Sequence, residues 1–347
     1  MTFALVLAGY GNVARRFVEL LEESRPALSA LGITPVVAAV VTRRHGCVRS
    51  SGRELTAAAV AEALGQAGTT PLDTPGFITH ELAALAGAGH NARVLIETTT
   101  LEPKSGEPAI SHVRAAFTAG AHVITANKGP IACAYRALAA DAESRHLALL
   151  FEGAVMDGIP VFNLVRETLP AATINGFRGV VNSTTNFLLT AMEDGEAFAP
   201  ALRRMQEAGV AEADPSLDVD GWDAAAKGAA LANVLLDADL TPEMVTRESL
   251  SPGHAARALA ARRTGRRLKV VVTGRGRGTD ARVQVAIEEL PGDDPLAILD
   301  GQANALELDT WPAGRIVITQ RDGGLEKTAY ALVSDLVTLA RRLGARA

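Results

Sequence analysis

The sequence contains few aromatic and few cysteine residues. Of its 347 residues, 4% are aromatic and 48% are hydrophobic, so alanine, valine and leucine must supply most of the core. The 2 cysteines, Cys47 and Cys133, lie far apart and show neither a CxxC pattern nor the Cys/His spacing of a zinc site. The sequence therefore supports neither a disulfide framework nor a zinc site.

An excess of positive charge and a long hydrophobic segment are absent as well. The chain has 34 lysines and arginines against 39 aspartates and glutamates, which gives a net charge of −5 and no positive field to attract nucleic acid. No uncharged apolar segment reaches the roughly 18 residues of a membrane span, and residues 3–8 lack the basic region of a signal peptide. We therefore expect a cytoplasmic protein without a nucleic-acid or membrane partner.

The pattern of apolar residues predicts an α/β protein of two domains. Over residues 1–150, short apolar segments alternate with alanine-rich segments of helical periodicity, which predicts a doubly wound parallel sheet. This alternation changes after Pro160, so residues 151–323 are expected to form a second, α+β domain. The last helix, within 324–347, is amphipathic and is expected to return to the first domain.

The predicted elements have these bounds. The strands of the first domain are Phe3–Ala8, Pro35–Val41, Val94–Glu97, His122–Thr125 and Ala148–Phe151, and its helices are Val13–Glu23, Glu54–Leu64, Ile110–Ala119 and Ile131–Glu143. The second domain is predicted to contain a turn at Asn175–Asn186, a helix from about Gly221, the strands Leu268–Val272, Val283–Ile287 and Gly314–Thr319, and the final helix Leu325–Leu343.

A glycine-rich turn follows the first predicted strand. It contains Gly9, Gly11, Asn12 and Val13 in a GxGxxA pattern directly before a helix. Gly9 permits a tight turn, Gly11 lets a pyrophosphate approach the backbone, and the helix N-terminus attracts its charge. The turn therefore predicts a dinucleotide site of the Rossmann type, the alternative being a purely structural turn.

The residues after the second strand bear on the choice of cofactor. An NAD site usually places a carboxylate there to bind the ribose 2′-hydroxyl, whereas this chain has Arg43 and Arg44. Two guanidinium groups favour the 2′-phosphate of NADP. The alternative is a solvated basic turn.

Polar residues also follow two further strands. Thr99 lies in a run of three threonines after Glu97, and Lys128 follows the strand that ends at Thr125. Because the carboxyl ends of parallel strands meet at one edge of a sheet, Thr99 and Lys128 are expected to face the cofactor. Alternatively, the threonines are ordinary turn residues and Lys128 is a surface lysine.

An acidic segment leads into the alanine-rich helix of the second domain. Its carboxylates do not have the spacing of a calcium-binding EF-hand loop. Asp223 and Lys227 lie at i and i+4, on one face of the helix, where they can pair. A partly buried pair of this kind would hold a lysine able to exchange a proton with a substrate, and the alternative is an exposed ion pair.

In their order and content, these motifs resemble the homoserine dehydrogenase family over nearly the whole chain. The resemblance implies a Rossmann domain and a middle domain that binds substrate and forms a homodimer. It also implies NAD(P)-dependent interconversion of L-homoserine and L-aspartate 4-semialdehyde, in threonine and methionine biosynthesis. The matching blocks are GYGNVA at 9–14, LEPKSGEPAISHVRAAFTAGAHVITANKGP at 101–130, GFRGVVNSTTNFLLTAM at 176–192 and GVAEADPSLDVDGWDAAAK at 209–227.

The resemblance also implies roles for single residues. Lys227 corresponds to the family's proton-donating lysine, and Glu212 and Asp223 correspond to its substrate-binding acids. Lys128 corresponds to a lysine beside both cofactor and substrate, and Gly209 to a glycine near the cofactor. A small-molecule substrate with a cationic amino group would suit these acids.

Two segments depart from the family pattern. The family's monovalent-cation loop corresponds to 152–160, where Glu152 and the carbonyls of Val155, Asp157 and Ile159 would hold sodium, but Met156 and Asp157 replace the small residues of many relatives. Gly324 takes the place of the last glycine of a cofactor-contacting loop that is otherwise altered. The chain resembles the short form of the family, without a regulatory ACT domain. These departures leave two alternatives, a dehydrogenase for another amino or oxo acid and a non-catalytic NADP-binding sensor.

Overall fold

The computed structural model describes residues 1–50, 54–66, 73–207 and 214–344. Contacts within the chain divide it into two units. Unit 1 comprises Met1–Phe162 and Gly324–Ala347, and unit 2 comprises Asn163–Gly323. The division therefore lies after Phe162, whereas the sequence placed a boundary near residue 150.

Unit 1 is built on a six-stranded sheet with the order β3-β2-β1-β4-β5-β6. All neighbouring pairs are parallel except β2 and β3, which form an antiparallel pair at one edge. The predicted doubly wound parallel sheet is thus confirmed, with one antiparallel edge strand added. The strands are β1 (Thr2–Ala8), β2 (Thr34–Thr42), β3 (Gly46–Arg49), β4 (Ala92–Glu97), β5 (His122–Thr125) and β6 (Leu149–Leu150).

Unit 2 contains a second six-stranded sheet, with the order β12-β11-β7-β9-β10-β8. Its neighbours are antiparallel except β8 and β10. The strands are β7 (Thr173–Val180), β8 (Thr246–Arg247), β9 (Arg266–Arg275), β10 (Arg282–Pro291), β11 (Asn304–Trp311) and β12 (Gly314–Gln320).

The helices alternate with the strands in unit 1 and are grouped between strands in unit 2. They are α1 (Asn12–Glu23), α2 (Arg25–Ala30), α3 (Ala57–Gln66), α4 (Thr74–Ala84), α5 (Ala109–Thr118), α6 (Lys128–Ser144), α7 (Val161–Asn163), α8 (Ser183–Glu193), α9 (Phe198–Glu207), α10 (Ser216–Val219), α11 (Trp222–Leu235), α12 (Ala255–Arg263) and α13 (Leu325–Arg342). Within the ranges that the structure describes, no helix is long and apolar enough to cross a membrane.

The turn predicted at Asn175–Asn186 is wrong, because most of this segment forms β7 and the start of α8. Its glycines lie where neighbouring strands come close. A Cβ on Gly176 would lie 2.9 Å from the carbonyl oxygen of Gly274, and one on Gly179 would lie 2.7 Å from that of Ala305. In this strand glycine therefore marks close backbone packing and not a turn.

The core of unit 1 explains the place of the last helix. Phe3, Leu5 and Leu7 on β1 are fully buried and pack in one cluster with apolar residues of α1 and α13. Leu332 and Leu336 represent the apolar face of α13 in this cluster, and both are 0% exposed. Burial of such a face stabilises a helix against its sheet by roughly 2 kcal/mol per large side chain.

Candidate active site

The glycine-rich turn has the geometry that a dinucleotide requires. Gly9 follows β1 with a φ of +85°, and its N–H donates to the carbonyl oxygen of Val41 at 2.9 Å. A Cβ on Gly9 would lie 3.2 Å from Cγ2 of Thr99, whereas one on Gly11 would meet nothing within 4 Å. The first turn of α1, which begins at Asn12, has no acidic residue. Open space at Gly11 and the N-terminus of α1 therefore fit a pyrophosphate.

Arg43 and Arg44 lie in the turn directly after β2, and both are exposed. The register pairs Ala8 at the end of β1 with Val41 near the end of β2. The glycine-rich turn and the two arginines therefore lie at the same edge of the sheet. This is where the adenosine ribose of a dinucleotide lies in sheets of this type.

The ends of β4 and β5 bring Thr99 and Lys128 to that edge. The register places Glu97 beside both Ala8 and Thr125. Lys128 is the first residue of α6, and Asn127 caps this helix by accepting a hydrogen bond from the Gly129 N–H at 2.9 Å. Asn127 Nδ2 also donates to the carbonyl oxygen of Thr99 at 3.0 Å. The two strand-end loops are thus joined.

Sequence reasoning did not find Glu97 and Asn127. Glu97 is fully buried, with one oxygen accepting from the Thr99 N–H at 3.0 Å and the other from the Thr125 hydroxyl at 2.9 Å. The available signals were an acid that ends an otherwise apolar strand and an asparagine just before a helix. Each signal is common, and only the tertiary structure joins them.

The segment predicted to bind sodium lies in unit 1 and contacts the start of α13. Asp157, with a φ of +49°, accepts hydrogen bonds from the Gly324 N–H at 2.9 Å and the Thr328 hydroxyl at 3.1 Å. Glu152 is buried and accepts from the Phe162 N–H at 2.8 Å. The Asp157 carboxylate therefore anchors the start of α13 and holds Gly324, the predicted cofactor contact.

The remaining predicted sodium ligands are the carbonyls of Val155 and Ile159, and both residues are buried. The carbonyl oxygen of Ile159 accepts a hydrogen bond from the Val161 N–H at 2.9 Å. Among the described residues, no group of three or more His, Cys, Asp or Glu is arranged to hold a metal ion. A sodium site in this segment stays a prediction.

In unit 2 the predicted pair at the start of α11 is present. Lys227 Nζ lies 3.0 Å from Asp223 Oδ2 and donates to the carbonyl oxygen of Val181 at 2.6 Å. The side chains of Asp223 and Lys227 are 14% and 15% exposed, respectively. This is a partly buried pair at the surface of unit 2, unlike a fully solvated helix ion pair.

Two further residues complete this cluster, and sequence reasoning did not assign them a role. Asn182, which caps α8, donates from its single amide nitrogen to Asp218 at 2.7 Å and to Asp223 at 2.8 Å. Burial, and next the charge of Asp223, raise the pKa of Asp218, although hydrogen bonds from Asn182 and Thr184 oppose this shift. The cluster thus concentrates two acids beside one lysine.

Small residues allow α11 to lie close to its sheet. A Cβ on Gly228 would lie 2.8 Å from methyl groups of both Val272 and Val283. The adjacent Lys227 is therefore carried on a helix whose position against β9 and β10 is fixed by close packing. Gly209 and Glu212, predicted to contact cofactor and substrate, lie outside the described residues.

The dinucleotide-binding geometry of unit 1 and the lysine–carboxylate cluster of unit 2 are typical of a nicotinamide-dependent oxidoreductase. Comparison with known families identifies it more closely. Residues 9–152 match the model for the NAD-binding domain of homoserine dehydrogenase, and residues 160–337 match the homoserine dehydrogenase model. The chain belongs to the homoserine dehydrogenase family.

Individual relatives agree with this assignment. The chain is 35% identical to the NAD(+)-dependent homoserine dehydrogenase of Pseudomonas canavaninivorans, covering 96% of this chain and 95% of that protein. It is 32% identical to the homoserine dehydrogenase of Sulfurisphaera tokodaii, covering 97% and 98%. A crystal structure of a homoserine dehydrogenase from Thiobacillus denitrificans superposes with a TM-score of 0.80 at 28% identity, covering 98% of this chain and 74% of that one. This chain is therefore an oxidoreductase that acts on a CH–OH group with a nicotinamide cofactor.

Proposed function

We propose that Lys227 exchanges the proton in the interconversion of L-homoserine and L-aspartate 4-semialdehyde, with NADP(H) as the preferred cofactor. The observation that carries this proposal is the partly buried ion pair of 3.0 Å between Lys227 and Asp223 on α11. A lysine held in this way positions its ammonium group to donate a proton to the substrate oxygen.

When bound, the nicotinamide supplies or accepts the hydride. We propose that the cofactor is held by residues of the glycine-rich turn, of the loops after β2, β4 and β5, and of the start of α13. They are Gly9, Gly11, Asn12, Val13, Arg43, Arg44, Thr99, Lys128 and Gly324, with Gly209 from the predicted set of unit 2.

During reduction, negative charge develops on the aldehyde oxygen. The Lys227 ammonium stabilises this charge and donates a proton to it. Asp223 and the carbonyl oxygen of Val181 orient the ammonium, since both lie within 3.0 Å of Nζ. Lys128 supplies a second positive charge for cofactor and substrate.

The substrate also carries a cationic amino group. We propose that Glu212 and Asp223 bind this group, and that the neighbouring Asp218 adds to the negative field. The pKa of Asp218, raised by burial and by Asp223, supports this role, because a nearby cation relieves such repulsion.

The activity test follows NADPH oxidation with L-aspartate 4-semialdehyde and with a panel of other oxo acids. We expect turnover with the semialdehyde and loss of at least 100-fold in kcat for Lys227→Ala, within the range typical of a general acid. Turnover no greater than that of Lys227→Ala would overturn the proposal. Equal rates on other substrates would instead favour the broader amino or oxo acid dehydrogenase.

Cofactor preference has its own test, since one relative is named NAD(+)-dependent. Replacement of both Arg43 and Arg44 by serine is expected to raise KM for NADPH about tenfold, because a phosphate loses its guanidinium partners. KM for NADH should change little. A wild-type enzyme that uses NADH as well as NADPH would contradict the preference.

We further propose that the enzyme is a cytoplasmic homodimer formed through unit 2. Family resemblance supports the homodimer. Sedimentation at micromolar concentration should give twice the monomer mass of 36.1 kDa. A monomer that is active at this concentration would contradict it.

A further inference from the structure

Glu97 is a fully buried carboxylate at the end of β4. Its side chain is 0% exposed, and both of its oxygens accept hydrogen bonds from residues of strand-end loops. Oε1 accepts from the Thr99 N–H at 3.0 Å and also from the Thr99 hydroxyl. Oε2 accepts from the Thr125 hydroxyl at 2.9 Å. The carboxylate thus bridges the loop after β4 and the end of β5.

The hydrogen bonds close into a ring of four residues. The Asn127 N–H donates to Thr125 Oγ1 at 2.9 Å, and Asn127 Nδ2 donates to the Thr99 carbonyl oxygen at 3.0 Å. Asn127 Oδ1 in turn accepts from the Gly129 N–H at 2.9 Å, where α6 begins. The ring of Glu97, Thr99, Asn127 and Thr125 therefore fixes the first turn of the helix that starts with Lys128.

A buried charge does not by itself stabilise a fold. Removing a carboxylate from water costs several kcal/mol, which its hydrogen bonds offset only when their geometry is good. His112 lies on another side of Glu97, with Nδ1 3.6 Å from Oε1, and its Nε2 is 2.8 Å from the Thr74 hydroxyl. Within the described part of the chain, His112 Nδ1 makes no hydrogen bond, so the hydrogen bonds to the carboxylate come from Thr99 and Thr125. A buried polar network of this kind selects one backbone arrangement over others.

We propose that Glu97 is a positioning residue that locks the Thr99 loop and the Lys128 turn in the geometry that binds the cofactor and substrate. This inference rests on the proposed function, since it takes Thr99 and Lys128 as contacts of cofactor and substrate. Glu97 itself acts through these residues and contacts neither ligand.

The first test is Glu97→Gln. Glutamine keeps the size of the side chain but has a single acceptor oxygen, so one of the two threonines loses its partner. We expect Kd for NADPH, measured by fluorescence without substrate, to rise about tenfold, and kcat with homoserine to fall about tenfold. Exchange of the Thr99 and Asn127 amide hydrogens should become faster.

The second test separates the two sides of the ring. Thr125→Val removes the hydroxyl that links Glu97 to Asn127 but leaves the bonds from Thr99 to Glu97 in place. It should therefore lower kcat more than it weakens NADPH binding. Thr125→Ser restores the hydroxyl and should recover at least half of the wild-type kcat, which keeps the inference testable if Glu97→Gln fails to fold.

The matched control is Glu81→Gln. Glu81 is another buried glutamate of unit 1, paired with Arg49 on the β3 edge strand, away from the strand-end loops. This variant should lose stability without a change in Kd for NADPH. Glu97 and Thr125 variants that lose stability but keep wild-type Kd, kcat and amide exchange well below their Tm would overturn the inference.

The inference and the proposed function fail in different ways. A wild-type protein that binds NADPH but does not oxidise homoserine would defeat the proposed function. In that case, unchanged Kd and amide exchange in Glu97→Gln would defeat the positioning role, and weaker binding with faster exchange would support it.

Discussion

The candidate site residues of the two units are held in different ways. In unit 1 they lie in backbone turns at strand ends, where Gly9 adopts a positive φ, Gly11 leaves open space for a ligand and a buried carboxylate holds the loops. In unit 2 they are charged side chains, with Asp218 and Asp223 both accepting from Asn182 and with Lys227 paired to Asp223. We therefore expect added side-chain atoms to impair the site residues of unit 1, and loss of charge to impair those of unit 2.

The largest effect is expected from Asp223→Asn in unit 2. The change removes the charge that faces the Lys227 ammonium at 3.0 Å while keeping the size of the side chain. Loss of both this orientation and the proposed substrate-binding charge should lower kcat/KM for homoserine by about 100-fold to 1000-fold. Steady-state kinetics at pH 7–9 would measure it.

Asp220→Asn is the control for Asp223→Asn, because Asp220 is an exposed acid of the same segment. It should retain kcat/KM within about twofold. Equal losses in both variants would show that the general negative field, and not the specific pair, supports activity.

The sequence predicts the two units unequally, and for physical reasons. The strands of unit 1 are buried on both faces and therefore appear as continuous apolar runs, so β1, β4 and β5 were predicted with nearly the observed bounds. In unit 2, β7 was missed because its glycines are required by close strand packing, a tertiary constraint. In unit 1 the helix α4 was missed, since its apolar residues lack helical periodicity.

The site residues show the same difference between local patterns, which the sequence reveals, and tertiary contacts, which it does not. Asp223 and Lys227 were predicted as a pair because their i, i+4 spacing is local, and the helix brings them together. Asn182 and Asp218 are 36 residues apart in sequence, and only the packing of α8 beside the segment before α11 brings them within 2.7 Å. The same holds for Glu97 and Thr125, which meet because β4 and β5 are neighbours.

Like unit 1, unit 2 contains a buried ionisable side chain, Lys269. This lysine is 0% exposed, and its Nζ donates to Asn186 Oδ1 at 2.9 Å and to the Leu299 carbonyl oxygen at 2.5 Å. Burial is the main cause that lowers the pKa of Lys269 from 10.5 to about 8. Between these values the unfolded chain binds more protons than the folded one, so stability should rise with pH.

The expected gain is about 3 kcal/mol between pH 8 and pH 10.5. Chemical denaturation across this range would measure it as the difference between the wild type and Lys269→Met, which cancels other titrating groups. Lys104→Met, at an exposed lysine of unit 1, is the control and should follow the wild type. A Lys269→Met variant whose unfolding free energy runs parallel to the wild type at every pH would refute the assignment.

Added atoms at the glycine-rich turn of unit 1 should affect cofactor binding more than stability. Gly11→Ala places a methyl group in the open space before α1, where it meets no protein atom within 4 Å. Stability should stay within about 0.5 kcal/mol of the wild type. Affinity for NADPH should fall about tenfold, because the methyl group occupies the approach to the pyrophosphate.

Gly65→Ala in α3 is the matched control for Gly11→Ala, since a Cβ there also meets nothing within 4 Å. It should stabilise the protein by about 0.5–1 kcal/mol, as expected within a helix, and leave NADPH affinity unchanged. If Gly11→Ala binds NADPH as tightly as Gly65→Ala does, the glycine-rich turn is structural only.

The smallest expected effect tests whether unit 2 gives up stability to concentrate negative charge. Burial and the charge of Asp223 raise the pKa of Asp218, so ionisation of Asp218 destabilises the folded state. The free energy of unfolding therefore falls as pH rises through the folded-state pKa. Asp218→Asn should therefore stabilise the protein by roughly 0.5–1 kcal/mol at pH 7. The gain should disappear near pH 3, where the aspartate is protonated in both states.

Homoserine should raise the Tm of the wild type more than that of Asp218→Asn, since its ammonium relieves a repulsion that only the wild type contains. Equal shifts in Tm would separate Asp218 from substrate binding and restrict the negative field to Asp223 and the proposed Glu212.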